Sequence, residues 1–130
     1  MSISTRWNNS QQTALILTFT APWTWDDFEE VSQAIETAFA SVDHTVDLII
    51  DVSWAGDLPA NTLDRLRDTY ADATTNLGCY IFVGATDAFK TLLTVADRYY
   101  TALGGRLDFH FADTLDEALE IQEHGLQLSL

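Results

Sequence analysis

The stretch from Val46 to Pro59, V-D-L-I-I-D-V-S-W-A-G-D-L-P, constrains the fold of this chain more than any other. Leu48, Ile49 and Ile50 are consecutive apolar β-formers, so a strand over Val46–Val52 needs cover on both faces and belongs in the middle of a sheet. A polar turn follows, with Ser53, Trp54 and Asp57, and then Pro59, which suits the first turn of a helix. A buried strand that runs through a polar turn into a helix is the repeating unit of α/β proteins. Ligands of such folds gather where strand C-termini face helix N-termini.

The remaining chain supplies matching units. Ile3, Thr5 and Trp7 alternate with polar residues, Asn8-Asn9-Ser10-Gln11 reads as a turn, and Thr13–Thr20 is a second strand, predicting an antiparallel hairpin. Thr24 and Asp27 form a capping-box pair for a helix to about Ser41, with Phe28, Val31, Ile35, Ala38 and Phe39 on its inner stripe. A proline-led helix is predicted from Pro59 or Ala60, with Leu63, Leu66, Tyr70 and Leu77 inward and Leu77-Gly78 as its stop. Cys79–Gly84 is the next strand. Ala85-Thr86-Asp87 opens a helix that carries Phe89, Leu92, Leu93, Ala96, Tyr99, Tyr100 and Leu103 inward and ends at Gly104-Gly105. Leu107–Phe111 alternates like a strand nearer an edge, and Thr114 with Glu117 opens a last helix to about Glu123. Leu126, Leu128 and Leu130 alternate in the tail. An extended tail would lie on the domain or across a twofold homodimer, because an apolar stripe needs a cover.

The order β-β-α-β-α-β-α-β-α predicts a single α/β domain over residues 1–130. Its mixed sheet has an N-terminal hairpin and parallel later strands, with about four helices packed on it. At 130 residues and 47% hydrophobic content it can bury a core without staples. One cysteine, Cys79, excludes an intrachain disulfide. The start of the chain lacks an apolar signal region and no run approaches membrane-spanning length, so a soluble cytoplasmic protein is expected.

Charge narrows the partners. With 20 acids against 6 bases the formal net charge is −14, which repels phosphate backbones and anionic lipid headgroups. Nucleic-acid and polybasic membrane roles are therefore not expected, whereas solubility, a saline habitat or basic partners suit such a surface. Acids cluster at Asp26, Asp27, Glu29, Glu30 and Glu36, and six more lie between Asp108 and Glu123 with no Lys or Arg among them.

Catalytic signatures are weak. No G-x-G-x-x-G, G-x-x-x-x-G-K-[ST] or G-x-S-x-G occurs. His44, His110 and His124 lie in different elements without ligand spacing, and Cys79 starts an apolar strand, so neither metal nor cofactor is expected. Ser53, Trp54 and Asp57, then Ala85, Thr86 and Asp87, then Asp113 and Thr114 should share one end of the sheet. Three helix N-termini there are suited to an anion or a phosphorylated side chain, although Thr86, Asp113 and Thr114 also serve as ordinary caps. A receiver-domain reading of D-L-I-I-D-V-S fails. Such domains need an acidic pair after the first strand and a lysine after the fifth, where this chain has T-F-T-A-P-W and H-F-A-D-T.

The chain resembles STAS domains, the family of bacterial anti-sigma-factor antagonists and their relatives. The likeness rests on the opening hairpin and the helix after it, and on V-D-L-I-I-D-V-S leading into a loop and helix. A V-G strand end and T-L-D-E-A-L after the last strand extend it over nearly the whole chain. Trp23-Thr24-Trp25 and the proline-led helix are similar to a STAS-like group with an early W-x-W. The resemblance implies a non-enzymatic regulatory interaction module whose protein partner is a regulatory kinase or an anti-sigma-type factor. The chain departs from the family where a phosphoacceptor serine would open the helix. G-D-L-P-A-N-T stands there, Ser53 lies upstream, Thr62 falls inside the helix, and Asp57 would supply permanent charge.

Two functions follow. An interaction module would use the loop with Ser53, Trp54, Asp57, Pro59, Asn61 and Thr62. A small apolar-ligand or lipid-binding domain would instead line a pocket with Trp23, Trp25, Trp54 and Tyr70. Packed core and rim aromatics are the alternative for Trp23 and Trp25. For Trp54 the alternatives are a binding anchor and a cap on the core above Tyr70.

Overall fold

The computed structural model describes residues 2–56, 76–102 and 109–128. Their elements are β1 (Ile3–Trp7), β2 (Ala14–Thr20), α1 (Trp25–Ala40), β3 (Val46–Trp54), β4 (Leu77–Val83), α2 (Asp87–Ala102), β5 (Phe109–Ala112) and α3 (Leu115–Leu128). The proline-led helix expected between β3 and β4 lies outside the described residues. So do Leu103–Asp108, at the predicted end of α2 and start of β5.

One five-stranded mixed sheet runs in the order β1-β2-β3-β4-β5. The β1–β2 pair is antiparallel and every later pair is parallel. The hairpin turn is held by its own side chains: Asn8 Nδ2 donates to Thr13 Oγ1 at 3.0 Å and Asn8 Oδ1 accepts from the Ala14 amide at 3.1 Å. Gln12 takes the left-handed backbone (φ 57°) that closes this turn.

Strand alternation sorts the core into two layers. On one face Leu15, Leu17, Leu48, Ile50, Tyr80 and Phe82 pack with Val31 and Phe39 of α1 and with Phe89 and Leu93 of α2. On the other, Ala14, Ile16, Ile49, Ile81 and Val83 pack with Leu115, Ala118, Leu119 and Ile121 of α3. Val46 to Ile50 is buried at every residue, as expected of a central strand covered on both faces. The small side chains of Ala112 and Ala118 lie in the α3 layer.

A polar pair, Asp47 and Gln122, is buried on that side of the sheet. Asp47 is buried, with its Oδ1 accepting from the Cys79 amide at 3.0 Å and its Oδ2 from Gln122 Nε2 at 3.1 Å. The β3–β4 register shifts beside it, between Val46↔Leu77 and Leu48↔Tyr80. A Cβ on Gly78 would collide with Asp47 Oδ1, so the bulge that admits the carboxyl needs a glycine there.

Three expectations are corrected. β3 continues to Trp54, because Thr20 of β2 pairs with Trp54 and Asp51 Oδ1 holds the Ser53 amide at 3.0 Å. Ser53 and Trp54 therefore end a strand rather than begin a loop. Leu77 and Gly78 open β4 instead of closing a helix, since Leu77 pairs with Val46. The tail is helical to Leu128, not extended from Gly125. A single glycine costs a helix roughly 1 kcal/mol, too little to end one when no proline follows. Residues 125–128 thus present no extended leucine stripe for a twofold dimer to cover, and Leu130 lies outside the described residues.

Candidate interaction site at the C-terminal edge of the sheet

Four parallel strands bring the ends of β2, β3, β4 and β5 to one edge, together with the N-termini of α1, α2 and α3. β3 projects beyond its neighbour there. Asp51 pairs with Val83, the last residue of β4, while β3 runs three residues further.

That projecting end is held from both sides. On the β2 side the Ala21 amide donates to the Trp54 carbonyl at 2.8 Å, and Trp23 Nε1 donates to the Ala55 carbonyl at 3.0 Å. Gly56 adopts φ +69°, and a Cβ there would lie 3.1 Å from Ala21 Cβ. On the β4 side Gly84, also at φ +69°, faces Ser53 so closely that an added Cβ would meet its hydroxyl and stand 3.0 Å from its Cα. The Gly84 amide in turn donates to the Ala112 carbonyl of β5 at 3.0 Å. Two glycines and two hydrogen-bonded carbonyls thus fix the backbone on either side of Trp54.

Trp54 is nevertheless 69% exposed. It does not cap the core. Ser53 is exposed beside it and Ala55 is buried. Asp57, Pro59, Asn61, Thr62 and Tyr70 lie outside the described residues, so the full loop expected around Trp54 is seen only at its start.

Trp23 and Trp25 are half-buried and packed. Trp23 meets Phe19 edge-on at 5.0 Å and Trp25 edge-on at 5.1 Å, and Trp25 meets Phe28 edge-on at 5.6 Å. This chain of rings carries the Trp23 indole nitrogen to Ala55, a role the sequence did not reveal. The only signal was the close spacing of Trp23 and Trp25 after a strand end.

The N-termini of α1, α2 and α3 are occupied by the chain itself. Thr24 and Asp27 form the expected capping box on α1, with Asp26 and Asp27 in its first turn. Thr86 Oγ1 accepts from the Phe89 amide at 3.2 Å on α2, where Asp87 sits in the first turn. Thr114 Oγ1 accepts from the Glu117 amide at 3.2 Å on α3, with Asp116 and Glu117 in the first turn. Acids in these turns already answer the dipoles of α1, α2 and α3, so these three N-termini are poorly suited to an anion, while the N-terminus expected near Pro59 lies outside the described residues.

Among the described residues no group of three or more His, Cys, Asp or Glu could hold a metal ion. His44 Nε2 lies 2.8 Å from the Gln12 carbonyl at the opposite end of the sheet, and His110 is exposed on β5. No described helix is long and apolar enough to cross a membrane. No protein-family model matches the chain, nor does any curated protein or solved structure.

Proposed function

We propose that this chain is a non-enzymatic, STAS-like regulatory interaction module that docks a protein partner on the end of β3, with Trp54 as its anchor. The carrying observation is a tryptophan 69% exposed on a strand end where its own carbonyl and that of Ala55 are both hydrogen-bonded. Covering such a ring removes on the order of 150 Å² of largely apolar surface, about 3–4 kcal/mol at ~25 cal/mol per Å². A fixed backbone lowers the ordering cost of binding, so more of that gain reaches affinity. An antiparallel opening hairpin followed by parallel strands and intervening helices accords with the STAS-like reading. A regulatory kinase or an anti-sigma-type factor is the kind of partner this reading implies.

The apolar-ligand reading has less behind it. Trp23 and Trp25 are engaged with Phe19, with Phe28 and with each other.

Native co-purification tests the proposal. Tagged wild type and Trp54→Ala are isolated from the source cells, and both proteins and extractable lipids are identified by mass spectrometry. The wild type should retain a regulatory protein that Trp54→Ala loses, with both melting alike by circular dichroism. Identical partner sets would sink the proposal. A stoichiometric lipid and no protein would favour the apolar-ligand alternative.

A further inference from the structure

Resting on the reading of Trp54 as a docking anchor, we propose that its occupant is a positively charged protein segment that stacks an arginine guanidinium on the exposed indole. The charge around the site selects the class. Asp51, three residues before Trp54 on the same strand, gives Oδ1 to the Ser53 amide, and its other oxygen accepts no hydrogen bond among the described residues. Asp26 follows the Trp23 clamp, Asp87 follows Gly84, and Asp113 follows Ala112; all three are exposed. No Lys or Arg occurs in residues 18–29, 50–56, 84–89 or 112–117, the described residues of this edge. Lys90, the first described Lys or Arg after β4, lies over the Phe111 ring at 5.6 Å, while Arg65 and Arg67 fall outside the described residues.

An exposed indole in a negative field is matched by a cation with an apolar, planar face. The negative face of the ring quadrupole attracts positive charge, and guanidinium is more weakly hydrated than ammonium, so it stacks with less desolvation. The same field opposes other occupants. A chain of formal charge −14 repels acidic partners, phosphorylated ones and a second copy of itself. Attraction of this kind weakens as salt shortens the Debye length, whereas a purely apolar contact does not.

The test uses the full chain and three fluorescent heptapeptides, Gly-Xaa-Gly-Xaa-Gly-Xaa-Gly with Xaa as arginine, lysine or glutamate, titrated by anisotropy. The arginine peptide should bind most tightly and the glutamate peptide not at all. Trp54→Ala should weaken arginine binding ~tenfold, and Trp54→Phe, which keeps a ring face, by about threefold or less. Asp51→Asn retains the acceptor for the Ser53 amide, so its expected severalfold loss and shallower salt dependence report charge alone. Equal binding to wild type and Trp54→Ala would reduce the effect to general attraction by an acidic surface and overturn the inference. No arginine binding would overturn it too. If Trp54→Ala still loses its cellular partner in that case, the interaction-module reading stands without this occupant. If it keeps every partner, that reading falls as well.

Discussion

Asp47 Oδ2 accepts a hydrogen bond from Gln122 Nε2 at 3.1 Å across 75 residues of chain, and both side chains are buried. The other carboxyl oxygen takes the Cys79 amide, so one side chain joins β3, β4 and α3. A buried polar group with two partners is worth little net, but removing it leaves those partners unsatisfied. Asp47→Ala should therefore lose about 2–4 kcal/mol, the sum of two orphaned donors and a small cavity. Asp47→Asn should lose only about 1 kcal/mol, because its oxygen can keep the Cys79 amide while the Gln122 amide turns to offer an acceptor. Urea denaturation with an unchanged slope measures both. Equal losses for the two variants would mean that hydrogen bonding is not what Asp47 contributes.

Gly78 and Asp47 should behave as a coupled pair. A Cβ at Gly78 would strike Asp47 Oδ1 and stand 2.9 Å from Thr45 Cγ2. Gly78→Ala alone should cost about 1–3 kcal/mol as overpacking. In an Asp47→Ala background the main obstacle is gone and the exposed Thr45 side chain can rotate away, so the same change should cost under ~1 kcal/mol. A double-mutant cycle reads the coupling directly, and simple additivity would contradict the geometry.

Gly84 provides the contrast. Its φ of +69° costs a residue with a Cβ roughly 1–2 kcal/mol before any contact is counted. The added Cβ would also lie 3.0 Å from Ser53 Cα, which is backbone and cannot rotate away. Gly84→Ala should lose about 3 kcal/mol. Adding Ser53→Gly should recover less than half, since the Cα and the φ penalty remain. Full rescue would show that only the serine side chain stood in the way.

Some of this was legible in the sequence for physical reasons. Leu48-Ile49-Ile50 has no polar face to offer solvent, which places β3 in the middle of the sheet. Thr24 and Asp27 signal their helix start through contacts only three residues apart. Local signals fail where a distant partner decides. Ser53 and Trp54 read as a turn, yet they remain in the strand because Thr20 of β2 lies alongside. Gly78 suits a helix end as well as a strand, and only the carboxyl of Asp47 chooses between them. Leu126 and Leu128 alternate like strand residues but lie in a helix, because two alternating positions constrain neither period. The indole nitrogen of Trp23 finds its acceptor 32 residues away, and nothing within its own segment announces that.

Trp23 separates packing from positioning most cleanly. Its ring fills the space between Phe19 and Trp25, and its Nε1 holds the Ala55 carbonyl next to Trp54. Trp23→Phe keeps an aromatic ring but removes the donor. It should cost about 1–2 kcal/mol, the usual penalty of an orphaned carbonyl in a covered site. Trp23→Ala also empties the ring position and should cost ~3 kcal/mol or more. The discriminating readout is local. In Trp23→Phe the amides of Ala21 and Ala55, which donate to Trp54 and Val52, should exchange faster, while β3 amides from Val46 to Asp51 keep their protection. Partner affinity at Trp54 should fall with that protection, since the anchor then orders only on binding. A variant that loses global stability but leaves Ala21 and Ala55 protected would reduce Trp23 to a core residue. One that loosens them without weakening the partner would show that Trp54 binds without needing a fixed strand end.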